Sequence, residues 1–136
     1  MVSSKSLLAT AITALPLASG YIASLSAPAS AKAGTTVTAT LTATSYIQNW
    51  DDYSIIWGLA PASMDCGDVV CVGQQISYTA LYPDNEPQLG NFTVDVPIPD
   101  SFQPGDYQLV AAIPYLVGAS GMTAVQGHSA NITITA

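Results

Sequence analysis

Apolar and polar residues alternate in steps of two along most of this chain. Val37, Ala39, Leu41 and Ala43 fall on one side of a stretch whose other side is Thr36, Thr38, Thr40 and Thr42. Side chains of a strand point to opposite faces in turn, so this stretch predicts a strand with one buried and one solvated face. The pattern recurs in Tyr53, Ile55 and Trp57, and in Ile76, Tyr78 and Ala80. It returns in Phe92, Val94 and Val96 against Asn91, Thr93 and Asp95, then in Tyr107, Leu109, Ala111 and Ile113, and last in Ala130, Ile132 and Ile134. Tyr21 to Leu25 predicts a first strand ahead of Ala27-Pro28. Turn formers separate the runs: Lys32-Ala33-Gly34, Gly58 to Pro61, Tyr82-Pro83-Asp84-Asn85, Pro97 to Pro99, and Gln103-Pro104-Gly105-Asp106. Helical periodicity is almost absent. The fold class predicted is all-β: a single antiparallel immunoglobulin-like β-sandwich of about seven strands.

Two residues sharpen that expectation. Trp57 falls on the third predicted strand, where sandwiches bury a large aromatic. Pro104-Gly105-Asp106-Tyr107 opens the sixth as a tyrosine corner does, with the hydroxyl expected to bond back to the preceding turn. The cysteines do not follow the inter-sheet pattern of immunoglobulin domains.

The chain begins with Lys5, an apolar run from Ser6 to Leu15, Pro16 and the small residues Ala18-Ser19-Gly20. That order reads as a secretory signal peptide over residues 1–20, too short in its apolar part to span a bilayer. A β-sandwich domain over residues 21–136 would follow, secreted and open to delivery into host cells. Lys32 is then the sole cation against 9 acids. A surface so negative repels nucleic acid and anionic membrane, and no nucleic acid is expected as a partner. No second apolar stretch is long enough for a membrane span, and the domain is expected to be a monomer.

In a secreted chain the pair Cys66 and Cys71 reads as a disulfide. Closing so short a loop is worth only about 2 kcal/mol in chain entropy, enough to pin one loop and not the fold. Zinc is the weaker reading, since two thiols without a nearby histidine do not complete a tetrahedral site.

Catalytic chemistry finds few candidates. Past the expected signal peptide His128 is the one histidine. It lies beside Gly127 at the entry to the last strand, where it reads as a turn residue and not a general base. The acid pairs Asp51-Asp52, Asp65 with Asp68, and Asp84 with Glu86 lack calcium-loop spacing and read as solvated loop acids, not as a glycosidase pair. No catalytic residue, metal site or cofactor is expected. Two sequons, Asn91-Phe92-Thr93 and Asn131-Ile132-Thr133, fit the alternation with Asn and Thr outward, so Asn91 and Asn131 are candidate glycosylation sites. Apolar and aromatic residues in predicted loops, Tyr46-Ile47-Gln48-Asn49-Trp50 and Tyr115 to Ala119, serve either recognition or the capping of an open sandwich end.

The segment Ser45-Tyr46-Ile47-Gln48-Asn49-Trp50-Asp51-Asp52-Tyr53-Ser54-Ile55-Ile56-Trp57-Gly58 resembles the necrosis-inducing secreted proteins, small core effectors of filamentous fungi. The start from Tyr21 to Pro28, the Ala33-Gly34-Thr35 turn, Leu89-Gly90, the Pro97 to Tyr107 segment, Tyr115 to Ser120 and the terminal Asn131 to Thr135 are similar too. The Cys66–Cys71 loop is a departure from the family pattern. The resemblance implies a non-enzymatic virulence factor that suppresses pattern-triggered plant immunity by binding host immune kinases, with necrosis as an associated activity. On it, Tyr46, Ile47, Gln48 and Trp50 are the candidate contacts with a host protein. The alternative is a cell-wall-associated β-sandwich domain that binds polysaccharide.

Overall fold

The computed structural model of the protein describes residues 20–136. The expected signal peptide therefore lies outside the described residues, apart from Gly20. Nine strands follow in order: β1 Gly20–Ser26, β2 Ser30–Lys32, β3 Thr36–Ser45, β4 Trp50–Asp52, β5 Ser54–Pro61, β6 Gln74–Ala80, β7 Gly90–Pro97, β8 Gly105–Val117 and β9 Met122–Thr135. They form two sheets. One is β1-β3-β7; the other is β2-β9-β8-β5-β6, with β4 also on β8. All pairs are antiparallel except β2 with β9.

The core lies between the sheets. Ile22, Leu41 and Val96 of the small sheet meet Ile55, Trp57, Leu109, Ile113 and Ile132 of the large one. The alternation of β3 is realised directly, with Val37, Ala39, Leu41 and Ala43 buried and Thr36 and Thr38 exposed. On the outer face Thr38 donates to Asp95 at 3.0 Å and Thr42 to Asn91 at 2.7 Å, cross-strand bonds between directly paired residues. Trp57 is fully buried, and the Tyr107 hydroxyl donates to the Gln103 carbonyl at 2.8 Å, the corner expected from the sequence.

The strand number differs from about seven because β2 and β4 are three residues long, too short for a period of two to register. β4 also continues into β5 along the same neighbour. Tyr53 between them donates its N–H to the Pro114 carbonyl at 2.8 Å and turns its own carbonyl to the amides of Leu81 and Tyr82. The face of β6 differs as well. Tyr78 and Ala80 are exposed, and Ser77 and Thr79 lie opposite the core residues Trp57 and Ile55. Trp57 requires this: its indole N–H is buried and finds its acceptor in the Thr79 hydroxyl at 3.0 Å. A register shift between Trp57 and Gly58 accommodates the change of face.

Cys66 and Cys71 are bonded to each other. Their loop lies against the outer face of the large sheet, where Gly58, Ala60, Val110 and Ala112 are buried. Small residues make room for it. A Cβ at Gly127 would meet Val70 at 2.8 Å, and one at Gly58 would collide with the Val72 carbonyl oxygen. The unbroken buried run Leu109 to Ile113 follows, since β8 is covered by the small sheet on one face and by this loop on the other.

Candidate functional site

One end of the sandwich carries an aromatic cluster assembled from four places in the chain. Trp50 at the start of β4 stacks on Tyr115 of β8, with ring centroids 4.3 Å apart and planes 6° from parallel. Tyr21 of β1 tilts against Trp50 at 4.9 Å, and Tyr46 meets Trp50 edge-on at 4.8 Å and Tyr21 at 5.5 Å. Offset and edge-on aromatic pairs contribute about 0.5–1.5 kcal/mol each beyond the area they bury. The two segments singled out in the sequence, 46–50 and 115–119, are thus brought together. Tyr115, Leu116 and Val117 belong to β8 and not to a loop, and the β8–β9 turn begins at Gly118.

Beneath the cluster lies a polar node. Asp52 is only 3% exposed. One of its carboxylate oxygens accepts the Trp50 indole N–H at 2.8 Å and the other accepts the Ile22 backbone N–H at 2.8 Å. The Ile22 carbonyl in turn lies 3.1 Å from the Gln126 amide nitrogen and 3.1 Å from His128 Nε2. The β1–β3 register shifts between Ile22 and Ser24. Ile22 lies on the edge strand of the small sheet, and its backbone groups reach β4 and β9 of the large sheet. Burial pushes the Asp52 carboxyl above the usual carboxylate range. The Trp50 and Ile22 donors and the His128 charge pull against it, and Asp51 adds to the rise. Glu86 is raised as well, by partial burial and by the charges of Asp51 and Asp52.

This corrects two sequence expectations. Asp52 is a buried structural acid, not a solvated loop acid. His128 lies within β9 with its ring nitrogen on a backbone carbonyl, not in a turn. A signal for the first was present: Trp50 and Asp52 are two apart, which places both on one face of a strand.

The loop between β3 and β4 runs over this base. Gly118 donates its N–H to the Asn49 carbonyl at 2.9 Å. Gly118 has a φ of 78°, in the left-handed region, and a Cβ there would approach the Gln48 side-chain oxygen at 3.1 Å. Of the four residues expected to make contacts, Tyr46, Ile47 and Gln48 are exposed and Trp50 is buried as their support. Ile47 is 95% exposed, an apolar side chain on a loop tied down through its neighbours.

Elsewhere, a cleft of about 320 Å³ separates the disulfide loop from β8 and β9, lined among others by Met64, Val69, Gln108 and Ser129. Asn91 and Asn131 are exposed on the outer faces of the two sheets, with Phe92 and Ile132 turned inward, as the alternation predicted. Among the described residues no group of three or more His, Cys, Asp and Glu could hold a metal, and no helix is long and apolar enough to cross a membrane.

The Nis1 family model matches residues 18–133. Necrosis-inducing secreted protein 1 of Colletotrichum orbiculare is 30% identical over 127 residues, 93% of this chain and 77% of that protein. The protein of the same name from Colletotrichum higginsianum is 29% identical over 127 residues, 93% of this chain and 87% of that one. Among solved structures, a superoxide reductase (neelaredoxin) from Ignicoccus hospitalis overlaps 86% of this chain and 80% of its own, at a TM-score of 0.46 and 10% identity. A likeness that slight carries nothing about function.

Proposed function

Because the chain belongs to the Nis1 family, we propose that it is a secreted effector that suppresses pattern-triggered plant immunity by binding host immune kinases, with necrosis as a further outcome. Both relatives are named secreted proteins, and the chain is accordingly a secreted, extracellular protein. It works by binding and not by turnover. The contact surface is the aromatic end of the sandwich, with Tyr46, Ile47 and Gln48 presented to the partner and Trp50 holding them in place. The observation that carries this reading is Ile47, 95% exposed on a loop anchored through Asn49 and Gly118. An apolar side chain held ready in water loses little freedom on docking, and buried anchors of this kind dominate protein interfaces. The net negative charge steers the approach toward a basic face of the partner. Asn91 and Asn131 carry glycans on the outer faces of the sheets, where sugar does not disturb the core.

The test is expression of residues 21–136 in plant leaf cells with the oxidative burst as readout, beside a pull-down on fungal and plant wall polysaccharides. A reduced burst with no polysaccharide retention supports the reading. Retention on polysaccharide with an undiminished burst favours a wall-binding domain instead.

A further inference from the structure

The large sheet carries a second groove, of about 430 Å³, where β8 begins and β9 ends. Asp106 of β8 and Asn131 and Thr133 of β9 line it, with Ala29 ahead of β2 and Ala62 after β5. Ala29 lies on the β9 side and Ala62 on the β8 side, and each is pinned by the main chain. Thr133 donates its N–H to the Ala29 carbonyl at 2.9 Å, and Ala62 donates its own to the Asp106 carbonyl at 3.1 Å. The Gln108 side-chain amide adds a bond to the Ala62 carbonyl at 3.1 Å. The groove is therefore preformed. Its volume falls in the range of small-ligand sites.

Its chemistry suits a sugar ring. Ala29 and Ala62 offer small apolar surfaces to ring C–H groups. The Thr133 hydroxyl donates to one Asp106 oxygen at 2.9 Å, which leaves the other oxygen able to accept from a sugar hydroxyl. Asn131 is the acceptor residue of the sequon Asn131-Ile132-Thr133, and its side chain is exposed at this groove. A sugar joined to its amide nitrogen starts at the groove and not in open solvent. We propose that the first N-acetylglucosamine of an N-glycan on Asn131 docks in this groove and forms part of the folded surface. The tether makes docking intramolecular, and the pinned walls leave little freedom to lose. This inference rests on the reading that Asn131 carries a glycan. Asn91 is the internal control: it lies on the other sheet, where its carboxamide oxygen accepts the Thr42 hydroxyl at 2.7 Å.

The test uses the full chain secreted by a filamentous fungus. Glycopeptide mass first establishes occupancy of Asn91 and Asn131. An endoglycosidase that cuts between the two core N-acetylglucosamines is then timed at each site, on folded and on denatured protein. Relative to the denatured rates, release at Asn131 should be slower than at Asn91 by about tenfold or more, because the enzyme acts on the undocked population. Ala62→Trp fills the groove with a large ring and should bring the Asn131 rate up toward that of Asn91. The segments holding Ala29 and Ala62 should exchange their amides more slowly in the glycosylated protein than in Asn131→Gln. An empty Asn131 would overturn the glycosylation reading and the proposal together. An occupied Asn131 released as fast as Asn91 would overturn docking alone. So would slow release that Ala62→Trp leaves unchanged or slows further, which is crowding of the enzyme and not docking, or amide exchange indifferent to the glycan.

Discussion

Asp52 and Ile22 lie 30 residues apart in sequence and in different sheets, and the carboxylate of one accepts the backbone N–H of the other at 2.8 Å. With the Trp50 indole on its second oxygen, Asp52 ties the edge of the small sheet to the aromatic end of the large one. The candidate contact loop rests on that tie.

An asparagine at position 52 has one acceptor oxygen where two N–H donors converge, so its amide group would face a donor. Leaving one buried donor without a partner costs about 1–3 kcal/mol. Asp52→Asn should lower the urea midpoint by a corresponding amount, and the near-ultraviolet circular dichroism of the Trp50 cluster should weaken with it.

The raised pKa of Asp52 fixes the direction of pH dependence. Its folded value lies above its unfolded one, so its stabilisation is complete below the unfolded pKa of about 3.9 and is lost as pH rises through the folded value. Glu86 acts in the same direction. Urea midpoints should therefore rise as pH is lowered from neutrality toward the unfolded carboxylate value, and Asp52→Asn should flatten the slope.

Trp57 offers a graded test of the core. Trp57→Ala empties a fully buried site and should cost about 3–5 kcal/mol, a large share of the stability of a domain of this size. Trp57→Phe keeps most of the ring volume but removes the bond to Thr79. Its cost, read by thermal unfolding, should be well below that of alanine.

The disulfide should hold its loop and not the fold. Intact mass should rise by two hydrogen atoms on reduction. The Cys66→Ser, Cys71→Ser variant should lose about 2 kcal/mol while keeping its core amides protected, with faster exchange confined to residues 62–73.

Much of this fold is legible in the sequence because most strands have one wet face. β3, β7 and the end of β9 announce themselves through alternation, and Tyr107 through its corner. The reading falls short at the far end of β8, where Tyr115 to Val117 continue the strand instead of forming a loop, and where a partner overrides polarity, as when Trp57 draws Thr79 inward and turns Tyr78 out. The loop from Tyr46 to Trp50 is legible as a recognition candidate from its aromatic residues. The support beneath it is not, since Tyr21, Asp52, Tyr115 and Gln126 meet through pairings across the whole chain that no local pattern encodes.

The central claim is that the protein acts through the exposed tip of the 46–49 loop. Ile47→Asp places a charge where an apolar contact is expected, on a side chain that packs against almost nothing in the free protein. The measurement is the oxidative burst of leaf cells expressing this variant or the unmodified residues 21–136, with unfolding midpoints confirming that both are folded. The account predicts an unchanged midpoint and a burst restored to the level of cells without the protein. A folded Ile47→Asp protein that still suppresses the burst in full would contradict it.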